Sequence, residues 1–146
     1  MKTAIVYYSE HHGNTKKLLD AIAAKHDIDL INITKDSSAD LAGYDRIGFA
    51  SGIYYNAFAK QLLEFAQKNL PEGKDVFFIC THGAPAGAFM KSIREITEPK
   101  HCKELGAYDC RGFDTFGPFK LVGGIAKGHP TEEEISGAVK FYREMA

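Results

Sequence analysis

Residues 4–15, Ala4-Ile5-Val6-Tyr7-Tyr8-Ser9-Glu10-His11-His12-Gly13-Asn14-Thr15, pass from an apolar run through a polar loop into a segment of helical period. Ala4 to Tyr8 is short and rich in β-formers, the pattern of a central strand buried on both faces. Lys16 to Lys25 then sets Leu18, Leu19, Ile22 and Ala23 on one helical face. Between strand and helix, the hydroxyls of Ser9 and Thr15, the Asn14 amide and the backbone N–H groups of residues 10–14 converge. Such a loop at a helix N-terminus stabilises a phosphate through direct hydrogen bonds and the helix dipole. Gly13 supplies the tight turn around the oxygens.

The same alternation continues along the chain. Asp27 to Ile33 reads as a second strand, Ile47-Gly48-Phe49-Ala50 as a third and Asp75-Val76-Phe77-Phe78-Ile79-Cys80 as a fourth, with Leu105 to Phe113 as a weaker fifth. Helices are predicted from Ala57 to Leu70, with Phe58, Leu62, Phe65 and Ala66 on one face, and around Phe89, Ile93 and Ile96 before Pro99. Thr131-Glu132-Glu133-Glu134 is a capping box that opens a last helix, whose buried stripe is Ile135, Ala138, Val139 and Tyr142. Parallel neighbours require crossover connections. The expectation is therefore an α/β fold: a doubly wound, five-stranded parallel sheet of order 2-1-3-4-5 with helices on both faces, one domain over residues 1–146. Gly112 to Pro130, with five glycines and two prolines, shows no clean period. It is expected to be a packed surface loop anchored by Phe113, Phe116 and Phe119, rather than a partner or dimer surface.

Composition narrows the function classes. The chain has 146 residues, 45% hydrophobic and 25% charged, as in ordinary globular proteins. A net charge of −1 offers no basic stripe for nucleic acid. No apolar run is long enough to cross a bilayer, and the N-terminus reads as a strand rather than a signal peptide, so a cytoplasmic location is expected. Cys80, Cys102 and Cys110 lack CxxC spacing, which disfavours a disulfide framework or a structural zinc site; Cys80 reads as a buried thiol. The adjacent pair His11-His12 does not offer facing metal ligands, and no metal is expected.

In a doubly wound sheet, ligands lie beyond the carboxyl ends of the strands at the switch point. Two further segments reach that edge: Ser51-Gly52-Ile53-Tyr54-Tyr55-Asn56 and Thr81-His82-Gly83-Ala84-Pro85-Ala86-Gly87. One brings aromatic faces, and both bring glycines where a planar ligand can meet the backbone. There is no Gly-x-x-x-x-Gly-Lys-Ser/Thr loop and no Gly-x-Gly-x-x-Gly fingerprint. A phosphoacceptor receiver is disfavoured because strand one ends without an acidic pair and strand three ends in Ala50-Ser51.

With these loops and the closing Gly128-His129-Pro130-Thr131 turn, the chain resembles the flavodoxin family over nearly its whole length. The resemblance implies a flavodoxin-like fold and non-covalent FMN. It implies that Ser9, Asn14 and Thr15 hold the phosphate with the amides of Glu10, His11, His12, Gly13 and Asn14. Ser51, Gly52, Ile53, Tyr54 and Tyr55 would lie along the isoalloxazine ring, and Thr81, His82, Gly83 and Gly87 would cover its other side or its pyrimidine edge. The Gly52 carbonyl is the implied partner of reduced flavin N5–H. The chain contains no tryptophan, so Tyr54 or Tyr55 takes the stacking role. The side chains of His11 and His12 are expected to face solvent, and His82 to shape its turn.

No catalytic side chain is expected, because the flavin carries the chemistry. The leading expectation is an electron carrier between redox partner proteins, a monomer or weak homodimer. The alternatives are an NAD(P)H-dependent quinone or flavin reductase of the same fold, and a flavin-free binding or scaffold module.

Overall fold

The computed structural model describes residues 1–9, 13–113 and 123–146. Its elements are β1 (Thr3–Tyr8), α1 (Asn14–Ala23), β2 (Asp29–Asn32), β3 (Arg46–Tyr54), β4 (Ala57–Phe58), α2 (Lys60–Asn69), β5 (Asp75–His82), α3 (Lys91–Thr97), β6 (Lys103–Arg111) and α4 (Glu132–Met145). The sheet order is β2-β1-β3-β5-β6, with all of these pairings parallel. The five parallel strands thus run 2-1-3-4-5 in chain order, as the alternation predicts. The short β4 is an addition, antiparallel to the end of β3.

Every residue of β1 is buried, because the strand lies inside the sheet and is covered on both faces. Alternation splits its side chains between two cores. Val6 and Tyr8 pack with Phe49, Phe78, Leu62 and Phe65 beneath α2 and α3. Ile5 and Tyr7 pack with Leu18, Leu19, Ile22, Ala138 and Val139 beneath α1 and α4. Helices before and after β3 therefore lie on opposite faces, and the winding reverses between β1 and β3. The loops after these two strands diverge there and leave a crevice.

The start of the second helix differs from the expectation. Ala57 and Phe58 form β4 instead of opening α2, with Ile53 paired to Phe58 and Tyr54 to Ala57. Phe58 stands four residues before Leu62, so helical spacing fits its sequence. The physical reason for the strand is the two-residue turn Tyr55-Asn56, whose φ angles of 48° and 65° fold β3 back on itself. Two successive left-handed residues match the twist of a tight hairpin. Phe89, too, precedes its helix, packed beside Met90 in the core. At the other end, the Thr131 capping box forms as expected: Thr131 Oγ1 accepts from Glu134 N–H and the Glu134 carboxylate accepts from Thr131 N–H.

Candidate functional site

The N-terminus of α1 stands at the switch point. Asn14 and Thr15 are its first residues, one turn earlier than the apolar stripe shows, and their amides have no intrahelical acceptor. Gly13 precedes them at φ 66°, the left-handed conformation that favours glycine, with open space where a Cβ would stand. No acidic residue occupies the first turn of α1, so the positive end of the helix dipole is unopposed there. Ser9 Oγ accepts from Lys16 N–H at 3.3 Å and so caps the helix from across the loop. Glu10, His11 and His12 lie outside the described residues.

Thr15 is 1% exposed, and its hydroxyl meets that of Thr81 at 2.9 Å. If Thr81 donates in this pair, the proton of Thr15 remains for an acceptor at the helix terminus. Asn14 is bound differently from the expectation. Its Nδ2 donates to Phe113 O at 2.8 Å, which ties the helix terminus to the chain leaving β6. Its Oδ1 is buried and accepts from no donor among the described residues. Such an atom calls for an N–H or hydroxyl donor. Gly112 makes the tie possible: a Cβ there would stand 2.7 Å from Asn14 Nδ2. Phe113 N–H in turn donates to His129 O.

The second segment is mostly strand. Ser51, Gly52, Ile53 and Tyr54 all belong to β3, and Gly52 is paired with Thr81 of β5. The β-branched Ile53 and the aromatic Tyr54 suit a strand. The Ser51 hydroxyl is wholly buried, donating to Gly52 O at 2.6 Å and accepting from Ala59 N–H at 3.0 Å. Ser51 therefore fixes the end of β3 rather than presenting its side chain to a ligand. Gly52 O keeps a second lone pair beyond the Ser51 bond. Tyr54 packs edge-on against Tyr8, ring centroids 6.1 Å apart. Tyr55 sits at the hairpin tip, 77% exposed at φ 48°. A tyrosine in that conformation costs on the order of 1 kcal/mol. Of the two tyrosines, Tyr55 is the one presented at the sheet edge.

Thr81 and His82 also lie on a strand instead of opening a loop, paired with Cys110 and Arg111 of β6. The neighbouring strand lengthens β5 by two residues, a tertiary effect that Thr-His-Gly does not announce. His82 is held by contacts within this part of the fold. Its Nδ1 bonds Ala84 O at 2.6 Å, its Nε2 contacts Asp109 Oδ1 at 2.8 Å, and its ring stacks on Phe89. Gly83 is buried and Gly87 exposed. A Cβ on Gly87 would meet Asn56 Oδ1 and the Phe89 ring, so this segment closes against the Tyr55-Asn56 hairpin.

Ser9, Gly13, Asn14, Thr15 and Thr81 thus meet at one helix terminus, with Tyr55 and Gly87 on neighbouring segments. The partners unforeseen in the sequence are Gly112, Phe113 and Asp109. A glycine closing the fifth apolar run was the one available signal for the first of them. Phe116 and Phe119, the other anchors expected of the glycine-rich stretch, lie outside the described residues. Cys80 is fully buried, and burial first, then the nearby Asp109 charge, pushes its thiol well above the ordinary value. Cys110 is pushed up to about 12, chiefly by burial, with Glu134 and Asp109 adding to it. Neither thiol is disposed to react. Among the described residues no helix is long and apolar enough to cross a membrane.

Comparison with known proteins agrees with this architecture. A relative from Methanocaldococcus jannaschii, described as uncharacterized, is 38% identical over 147 residues, covering 99% of this chain and 98% of its own. Oxidised flavodoxin 1 from Bacillus cereus superposes with a TM-score of 0.69 at 14% identity, covering 99% of this chain and 97% of that one. The rubredoxin oxygen:oxidoreductase of Desulfovibrio gigas gives a TM-score of 0.74 at 13% identity. It matches 99% of this chain, which spans only 35% of that longer protein. A flavoprotein from Lactobacillus acidophilus, solved in complex with FMN, gives 0.55 at 21% identity over 74% of this chain and 92% of its own. At these identities the structural matches show the fold. The family model described as Flavodoxin domain matches residues 5–105, more than half of the sequence. The chain belongs to the flavodoxin domain family.

Proposed function

We propose that the chain binds FMN non-covalently at the switch point and serves as an electron carrier between redox partner proteins. The observation that carries this reading is the helix terminus itself. The Thr15–Thr81 hydroxyl pair, left-handed Gly13 and a first turn without acidic residues form a seat for a dianionic phosphate. The buried Asn14 Oδ1, which accepts from no donor among the described residues, suits a ligand that carries hydroxyl donors, as a ribityl chain does. Tyr55 offers an aromatic face at the same edge, worth about 0.5–1.5 kcal/mol beyond the area it covers. Family membership and the FMN complex of the Lactobacillus neighbour support the same cofactor.

When bound, the flavin supplies the redox chemistry. The residues of this chain do the rest. Thr15 and the free amides orient the phosphate, the Gly52 carbonyl stands at the end of β3 as an acceptor, and the Tyr55 and Gly83–Gly87 segments exclude water from the ring.

Reconstitution with FMN followed by stepwise anaerobic reduction tests the proposal. The expected result is a yellow protein that takes up electrons in two resolved one-electron steps and is not reduced by NAD(P)H alone. Rapid bleaching by NAD(P)H, with turnover of a quinone, would replace the carrier by a reductase. A protein that stays colourless in excess FMN overturns both readings and leaves a flavin-free module.

A further inference from the structure

His82 ends β5 directly beneath the third segment of the site, only 6% exposed and stacked on Phe89 at 4.1 Å between ring centroids. Both of its ring nitrogens face oxygens. Nδ1 lies 2.6 Å from Ala84 O, a carbonyl, which can only accept; Nδ1 therefore carries a proton. Nε2 lies 2.8 Å from Asp109 Oδ1. The Asp109 side chain is 53% exposed, so water solvates its anionic form, and this contact too calls for an N–H on the ring. A neutral imidazole has one N–H and would leave one of the two acceptors unmatched.

The geometry points to His82 as a doubly protonated positioning residue. Its Nδ1–H holds the Gly83–Gly87 segment through Ala84, and its charge cancels that of Asp109, which lines a cavity with Gly87 of that segment. This inference rests on the FMN reading above. Reduction of FMN by two electrons with uptake of one proton adds one negative charge to the ring system. An uncompensated Asp109 carboxylate would oppose that charge, and the His82 cation removes the opposition. Other charged groups near the pair are Arg111, the β6 neighbour of His82, and Lys91, Arg94, Glu95 and Glu98 of α3, which line a cavity with Asp109. Arg94 is already engaged by Glu104.

Two measurements test it. First, nitrogen-15 NMR of the imidazole side chains, on the protein without FMN at neutral pH, should show both His82 nitrogens protonated. A ring with a single proton overturns the proposal, whatever the protein does with FMN. Second, anaerobic equilibrium dialysis gives the affinities for oxidised and for dithionite-reduced FMN. His82→Gln removes the cation and leaves Asp109, so the ratio of reduced to oxidised affinity should fall about tenfold. The neutral pair His82→Gln with Asp109→Asn should return the ratio to that of the wild type. A merely structural role predicts equal losses for both redox states and no rescue by the second substitution, and that outcome overturns the proposal. If His82→Gln does not fold, the wild-type ratio is followed with pH. It should drop on the alkaline side of the ring titration seen by NMR, and a flat ratio sinks the idea. If neither redox state of FMN binds, the cofactor reading fails, while the NMR result still decides the His82–Asp109 pair.

Discussion

Thr15 and Thr81 lie 66 positions apart in sequence, yet their hydroxyls meet at 2.9 Å inside the protein. At 1% and 3% exposure both residues are buried, so little water reaches a stranded hydroxyl. Valine keeps the shape of threonine but removes the hydroxyl. Thr15→Val or Thr81→Val alone should therefore strand the opposite hydroxyl and cost about 1–3 kcal/mol, the usual penalty for an unsatisfied buried polar group. With both hydroxyls gone nothing is stranded, and the double variant should cost about 1 kcal/mol or less. With the double variant at about 1 kcal/mol, the interaction energy expected from the cycle is then about 1–5 kcal/mol in magnitude. In a chain of this size each kcal/mol moves the melting temperature by about 2–4 °C. The double variant should therefore melt above at least one of the single variants. Thermal unfolding followed by circular dichroism, with urea titrations for the free energies, reads this directly. FMN titration adds a second axis: Thr15→Val should lose about tenfold or more in affinity through its phosphate bond, in the single and the double variant alike. Additive stability losses would refute the buried pair. An FMN affinity unmoved by Thr15→Val would refute the role of that hydroxyl in the phosphate seat.

Two further outcomes follow from packing and charge. Gly48 of β3 lies under the Phe77 ring, and a Cβ there would overlap its Cε2 and Cζ atoms and approach Cδ2 to 3.1 Å. Gly48→Ala should destabilise by about 1–3 kcal/mol through overpacking; a urea midpoint equal to that of the wild type would show that the ring can move aside. Glu134 bears burial that raises its carboxyl, outweighed by the Thr131 N–H, the His129 ring and the Arg111 N–H, so its value in the folded state lies below the ordinary one. A depressed carboxyl contributes stability above the ordinary glutamate range and loses it as pH falls through the depressed value. Glu134→Gln should therefore be less stable than the wild type at neutral pH, with the gap closing in acid. A gap independent of pH would contradict this assignment.

The sequence by itself determined the order of the layers. Ala4 to Tyr8 and Val76 to Cys80 are short apolar runs without alternation, as strands covered on both faces have, and the helical stripes between them impose crossovers. From these the sheet order and the switch point follow, and with them the position of Ser9 to Thr15. The capping box of Thr131 and Glu134 was equally legible, because its partners are three residues apart. Tertiary structure decided what depends on distant neighbours. Pairing with β6 makes Thr81 and His82 strand residues, and the hairpin tip at Tyr55-Asn56 turns Ala57 and Phe58 into a strand. The phosphate seat shows the difference most clearly. Local sequence supplies the hydroxyl, the glycine and the helix terminus, and these suffice to announce an anion site. Only the folded chain brings Thr81 to Thr15 and Phe113 to Asn14, because each bond joins groups 66 and 99 residues apart. No local period encodes such a contact; sheet register and the room left by Gly112 do.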